Sequence, residues 1–209
     1  MINYVIFDLD GTILDTKHTC MLSAQQAYTT ITGETLPLNT FNEHFGTPTS
    51  EWGTTFGFDG KEFIKAMHAA YIDFSEHTKL YDGFPHVLNA LQRKSISFGV
   101  ATSKNSWELN FDLELLDLKK YFDCCICADD IKNRKPHPEP IQKILETTNN
   151  NKYNTIFIGD TDIDFRCAKA AGVKFALADW GEHNRVDAPI IFSDPNDILD
   201  FIENENEYS

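Results

Sequence analysis

The sequence predicts an α/β fold: a doubly wound, Rossmann-like parallel sheet core with an inserted all-helical cap. Short apolar runs at residues 3–7, 96–101, 123–127, 155–158 and 173–178 alternate with helical stretches, the pattern of a parallel sheet covered on both faces. The long gap between the first two runs has helical rather than alternating spacing, which places a helical insertion after the first strand. Several runs end in Asp, Thr or Gly, at the strand ends where open α/β sheets bind their ligands.

The first run, Tyr4-Val5-Ile6, leads into Phe7-Asp8-Leu9-Asp10-Gly11-Thr12. Two carboxylates two residues apart repel one another unless a cation or a phosphoryl group uses them. The plain alternative is a turn, which Asp and Gly also favour. Gly11 lacks a Cβ, so the chain can turn sharply and backbone N–H groups can approach an anion.

Residues 16–82 follow, without convincing strands. Thr16 to Thr32 and Gly60 to Lys79 have helical spacing, with Phe63, Ala66, Met67, Ala70 and Phe74 on one face of the second stretch. Gly and Pro residues between Gly33 and Gly60 break the helices, and Asp82-Gly83-Phe84-Pro85 marks the return to the core, as such punctuating residues do. The expected division is a core of residues 1–15 and 83–209 and a cap of 16–82.

After the strand Ile96 to Ala101 comes Thr102-Ser103-Lys104-Asn105. Asn105-Ser106-Trp107-Glu108 reads as an N-cap with Glu at the third helical position. A phosphate beside Thr102 or Ser103 would then lie near a helix N-terminus. Arg134-Lys135-Pro136-His137-Pro138 sets a lysine before a helix, and the strand Thr155 to Ile158 runs into Gly159-Asp160-Thr161-Asp162-Ile163-Asp164. Asp160 and Asp164 are four apart and share a face, while Thr161 and Asp164 also fit a helix cap pair. The acidic, aperiodic tail from Glu203 to Ser209 is expected to fray.

Composition narrows the function. With 209 residues, 42% hydrophobic and 24% charged, the chain holds one α/β domain plus a small insertion. A net charge of −14 disfavours nucleic acid and anionic membranes as partners. No apolar run approaches the ~18 residues of a membrane span, and no basic-then-apolar leader opens the chain, so a cytoplasmic location is expected. Five cysteines without a second Cys or His cluster read as free thiols rather than zinc ligands.

Taken together, the segments around Asp8, Thr102, Lys135 and Asp160 resemble the four signature motifs of the haloacid dehalogenase-like hydrolase superfamily, over residues 3 to about 181. Within it the chain most resembles the group containing phosphoglycolate phosphatase and β-phosphoglucomutase. The resemblance implies that Asp8 attacks phosphorus and becomes an aspartyl phosphate, while Asp10 serves as acid and base. It implies magnesium as cofactor, held by the carboxylates of Asp8 and Asp160 and the backbone carbonyl of Asp10, with Asp164 in the outer shell. Thr102 and Lys135 would assist catalysis, and Gly11, Thr12 and Ser103 would bind the substrate. Trp180-Gly181 resembles a pair found beside the site in phosphoglycolate phosphatase relatives.

The expected activity is hydrolysis of a small phosphorylated metabolite. An inorganic pyrophosphatase and a β-phosphoglucomutase-like phosphotransferase are alternatives, and a non-catalytic binding module is an alternative of another class. The mutase pattern is broken, because Cys20 stands where a cap His belongs and Thr49 where a cap Arg belongs. Residues 16–82 contain no Arg, only Lys17, Lys61, Lys65 and Lys79, so bidentate clamping of a distal anion by the cap is not available. Nothing in the sequence indicates an oligomeric state.

Overall fold

A computed structural model describes residues 1–181 and 186–207. Its strands are β1 (Tyr4–Phe7), β2 (Leu14–Asp15), β3 (Lys79–Leu80), β4 (Ser97–Ala101), β5 (Cys125–Ile126), β6 (Thr155–Gly159), β7 (Lys174–Ala178) and β8 (Ile191–Phe192). Six of them form one sheet in the order β5-β4-β1-β6-β7-β8, and every pairing in it is parallel. From β1 the chain builds outward through β4 and β5, then returns to the other side of β1 for β6, β7 and β8. The strand order therefore reverses beside the carboxyl end of β1, where such sheets open a crevice.

Alternate residues of β1 feed two different cores. Val5 and Phe7 pack with Phe84, Leu88, Leu109 and Ile198 on one face, while Tyr4 and Ile6 pack with Ile141, Ile144 and Cys167 on the other. The covering helices are α4 (Phe84–Arg93), α5 (Ser106–Leu115) and α8 (Asp197–Glu207) on the first face, and α6 (Glu139–Thr148) and α7 (Asp162–Ala171) on the second. Burial on both faces explains why the strands read as continuous apolar runs.

The insertion is helical, as expected: α1 (Lys17–Thr32), α2 (Thr49–Thr55) and α3 (Gly60–Asp73). It has its own core, in which Met21 and Ala24 of α1 meet Trp52, Phe63 and Met67. Phe63, Met67 and Ala70 are buried as the spacing predicts. Helix α3 ends at Asp73, not near Lys79, and Ser75–His77 form a separate short turn.

Two expectations need correction. The stretch to residue 82 is not free of strand, because β2 and β3 pair antiparallel, Leu14 with Leu80 and Asp15 with Lys79. Two-residue strands are too short to leave a periodic signal. Nor does the tail fray from Glu203, since α8 continues to Glu207. Ile198 and Ile202 of α8 are buried, one helical turn apart, and the Asn206 side chain both accepts from Ile2 N (2.6 Å) and donates to Ile2 O (3.0 Å). Tyr208 and Ser209 lie outside the described residues.

Cys20, Cys127 and Cys167 are buried free thiols, and Cys124 and Cys125 are half-buried and also free. No helix among the described residues is long and apolar enough to cross a membrane.

Candidate active site

The carboxyl ends of β1 and β6 are adjacent, with Phe7 opposite Ile158. Asp8 and Asp160 therefore leave the sheet side by side. Asp164 joins them from the first turn of α7, and an oxygen from each of the three lies within 4.8 Å of the others. All three are buried. Lys135, from the loop before α6, enters the cluster with a side chain only 4% exposed. Its Nζ lies 2.8 Å from Asp8 Oδ1 and 2.7 Å from Asp164 Oδ1.

Burial dominates the electrostatics. It raises the Asp8 pKa from its ordinary 3.8 to about 7, against the lowering effect of Lys135 and with further upward pressure from Asp164. Burial likewise pushes Asp160 well above the carboxylate range, aided by the Asp8 and Asp164 charges. For Lys135 burial works the other way, but its two carboxylate partners outweigh it and hold the ammonium protonated.

Asp164 has both oxygens engaged. Oδ1 meets Lys135, and Oδ2 accepts from Thr161 N (3.1 Å) and Thr161 Oγ1 (2.5 Å). The expected cap pair is present as a reciprocal capping box at the start of α7. Helix α7 begins at Asp162, so Asp160 precedes it, and Asp162 instead pairs with Arg166.

Asp10 faces a different neighbourhood. Its Oδ1 accepts from the Thr16 hydroxyl and lies 3.1 Å from Lys104 Nζ. Lys104 is 7% exposed and also meets Asp112 Oδ2 at 3.0 Å and the Tyr71 hydroxyl at 3.4 Å. Burial lowers its pKa, but Asp10 and Asp112 more than reverse the effect.

Gly11 and Thr12 shape the loop rather than offering amides to a ligand. The Gly11 N–H donates to Leu14 O (2.9 Å) and the Thr12 N–H to Leu9 O (3.3 Å). Thr12 is fully buried, with its hydroxyl 3.5 Å from Asp160 Oδ1. Gly11 adopts φ +81°, and a Cβ there would collide with the Asp160 carboxylate, so glycine is required on both counts. Trp180 braces the same loop: its Nε1 donates to Thr12 O at 2.9 Å, and its ring packs edge-on against Phe84. A side chain at Gly181 would press on the Tyr81 hydroxyl and approach Gly11 O.

Thr102 stands just beyond β4, and its Oγ1 accepts from Lys104 N at 3.1 Å. The capping box read at Asn105 and Glu108 is present. It changes the expectation for a phosphate at that helix, because two of the amides there already serve carboxylates. Asn105 N donates to Glu108 Oε2 (2.9 Å) and Ser106 N to Asp129 Oδ1 (2.9 Å).

Between Asp10 and the insertion lies a partly enclosed cleft. The core contributes Asp10, Ser103, Lys104 and Glu108, and the helical insertion contributes Thr49, His68 and several apolar side chains. Lys104, Glu108 and His68 had no functional assignment from sequence. Lys104 lies in the segment Thr102-Ser103-Lys104-Asn105, and Glu108 reads in sequence only as a helix cap.

The molecule is thus a doubly wound parallel sheet with a helical insertion after β1 and three aspartates gathered at its carboxyl edge. The chain belongs to the haloacid dehalogenase-like hydrolase family, whose profile matches residues 5–178. It is 27% identical over 205 residues to the phosphoglycolate phosphatase of Aquifex aeolicus, covering 96% of each chain. It is 30% identical over 188 residues to pyrophosphatase PpaX of Oceanobacillus iheyensis, covering 86% of this chain and 84% of that one. Among solved structures, a subfamily IA hydrolase of this superfamily from Geobacter sulfurreducens superposes with a TM-score of 0.76 at 25% identity, covering 96% of both chains. CbbY from Rhodobacter sphaeroides, solved with phosphate, shares the fold with a TM-score of 0.84 at 16% identity, over 95% of this chain and 96% of that one. The protein is thus an enzyme, a hydrolase of the phosphatase class.

Proposed function

We propose that the protein is a magnesium-dependent phosphomonoesterase that cleaves a small phosphorylated metabolite through an aspartyl phosphate on Asp8. The observation that carries this reading is the buried cluster of Asp8, Asp160 and Asp164 with Lys135 between two of them. Three carboxylates against one ammonium leave excess negative charge in a poorly solvated place, which is costly unless a cation or phosphoryl group uses it.

The donor set fits magnesium, a hard ion that takes oxygen ligands. Asp8 and Asp160 would hold it with carboxylates and Asp10 with its backbone carbonyl. Asp164, with both oxygens already engaged, would act on it through water. When bound, the ion neutralises phosphoryl oxygens and orients the reacting groups.

In the first step an Asp8 oxygen bonds to phosphorus and the ester P–O bond breaks, while Asp10 gives its proton to the departing alcohol oxygen. In the second, Asp10 takes a proton from water as the water oxygen attacks phosphorus, releasing inorganic phosphate and restoring the Asp8 carboxylate. Lys135 offsets charge between Asp8 and the phosphoryl group, and the Thr102 and Ser103 hydroxyls donate to phosphoryl oxygens.

Residues 16–82 serve as a lid over the core of 1–15 and 83–209, excluding water when closed. The insertion's own apolar core, with Met21, Ala24, Trp52, Phe63 and Met67, supports this division, and Arg134 Nη1, 3.4 Å from Ser50 Oγ and 3.6 Å from Glu51 Oε1, bridges the two parts. The buried free thiols suit the reducing cytoplasm.

The test is hydrolysis of an aryl phosphate with magnesium, with chelator, and with calcium. Turnover only with magnesium, inhibition by calcium and an acid-stable phosphoprotein lacking in Asp8→Asn are expected. Full activity in chelator would reject the reading.

A further inference from the structure

We propose that the alcohol released by this site carries no second anionic group, and that the substrate is a phosphomonoester of a small neutral polyhydric alcohol, selected by Glu108. The inference rests on the phosphomonoesterase reading above and concerns the cavity on the Asp10 side of the cluster. An acid that protonates the leaving oxygen must face the leaving group, so that group occupies the cavity Asp10 lines.

The charges there are unusual for a subsite that would grip an anion. Lys104 is the one Lys or Arg among the described lining residues, and its three N–H bonds already face Asp10 (3.1 Å), Asp112 (3.0 Å) and the Tyr71 hydroxyl (3.4 Å). A second carboxylate, that of Glu108, is buried in the wall. Its Oε1 accepts from Thr49 Oγ1 at 2.5 Å and lies 3.2 Å from His68 Nε2, while Oε2 accepts from Asn105 N at 2.9 Å. Burial by itself would raise the Glu108 pKa, but these hydrogen bonds and the Lys104 charge hold it below the ordinary range.

With Asp10 carrying the proton for the leaving oxygen, the wall holds the Glu108 carboxylate and an ammonium already saturated by its own partners. None of Lys17, Lys61, Lys65 and Lys79 lines the cavity. A leaving group with its own carboxylate or phosphate would meet like charge across a poorly solvated gap. A neutral alcohol meets instead carboxylate and hydroxyl acceptors from Glu108, Thr49 and Ser103, with Trp52 and Met67 as apolar backing. Buried polar groups arranged to accept hydroxyls discriminate strongly against partners that cannot donate to them.

Purified enzyme with magnesium is assayed on glycerol 1-phosphate, phosphoglycolate, inorganic pyrophosphate and an aryl phosphate. Because like-charge juxtaposition is strongly disfavoured, the glycerol ester is expected to show kcat/KM about tenfold or more above phosphoglycolate and pyrophosphate. Equal or better turnover of either anionic substrate overturns the proposal while leaving the phosphomonoesterase intact. Failure on all four, the aryl phosphate included, overturns both. Glu108→Gln keeps an amide able to cap α5 and is expected to narrow the preference by about threefold or more, chiefly through a lower KM for phosphoglycolate. An unchanged ratio in a variant that still turns over the aryl phosphate would remove Glu108 from the role.

Discussion

Lys104 Nζ lies 3.1 Å from Asp10 Oδ1, and this pair has a counterpart two residues earlier. Asp8 has its own lysine, Lys135, which enters from a different loop. Two carboxylates close in sequence thus sit in separate electrostatic settings. Asp8 lies in a buried cluster whose charges compete, and Asp10 is 15% exposed at the edge of a cavity. Such a separation suits the division of roles proposed for Asp8 and Asp10.

Replacing Asp8 by Asn removes the proposed nucleophile, and turnover is expected to fall by about 10⁴-fold or more. The same change removes a carboxyl that resists ionisation in the fold, so the variant's Tm in chelator should equal or exceed that of the wild type at pH 8. Single-turnover kinetics and a thermal melt check the two halves. Rates like those of the wild type would reject the assignment of Asp8.

Asp10→Asn leaves the backbone carbonyl in place and removes the proposed proton carrier. A loss of about 10²–10⁴ in kcat is expected. Metal affinity, measured by calorimetry with magnesium, should change little beside it.

Lys135→Met leaves Asp8 and Asp164 facing one another without a counter-charge. Removing one partner of a buried ion pair costs about 3–5 kcal/mol, and denaturant melts should show a loss of that size. The loss should be greater at pH 8 than at pH 6, since at the lower pH Asp8 can relieve the strain by taking up a proton.

The metal-free enzyme should become less stable as pH rises. A carboxyl whose folded pKa exceeds its unfolded value binds more protons in the native state, so ionising it costs stability. For Asp8 that window runs from 3.8 to about 7, and Asp160 and Asp112 are shifted in the same direction, chiefly by burial. One such group contributes a slope of at most about 1.4 kcal/mol per pH unit. Thermal melts in chelator between pH 5 and 8 should fall by several degrees, and magnesium should restore more stability at pH 8 than at pH 5. A flat or rising profile would contradict the charge balance described for the cluster.

The sheet, the helical insertion and the phosphatase class were all legible in the chain. Asp8, Asp160 and Lys135 sit at the ends of strongly apolar strands or on a loop of distinctive composition, so sequence position implied their convergence. At Gly11 and Thr12 the hydrogen bonds that occupy the amides run to Leu14 and Leu9 in a tight turn, which composition does not reveal. Lys104 and Glu108 were passed over for another reason. Their significance comes from Asp112, Tyr71, Thr49 and His68, which long-range packing brings to them. The helix α8 was hidden by its acidic outer face, since only Ile198 and Ile202 are buried in it.

The pairing of β2 with β3 brings the two crossings between sheet and insertion together, Leu14 beside Leu80 and Asp15 beside Lys79. From the sheet's side, everything between them is a loop whose ends are already clamped. Closure entropy grows slowly with length, by about 0.6 kcal/mol for each doubling, so a longer, shorter or foreign insert at this seam changes the stability of the sheet little. The seam is therefore a natural graft point, where a transplanted insert could alter substrate choice while the aspartates beneath remain in place.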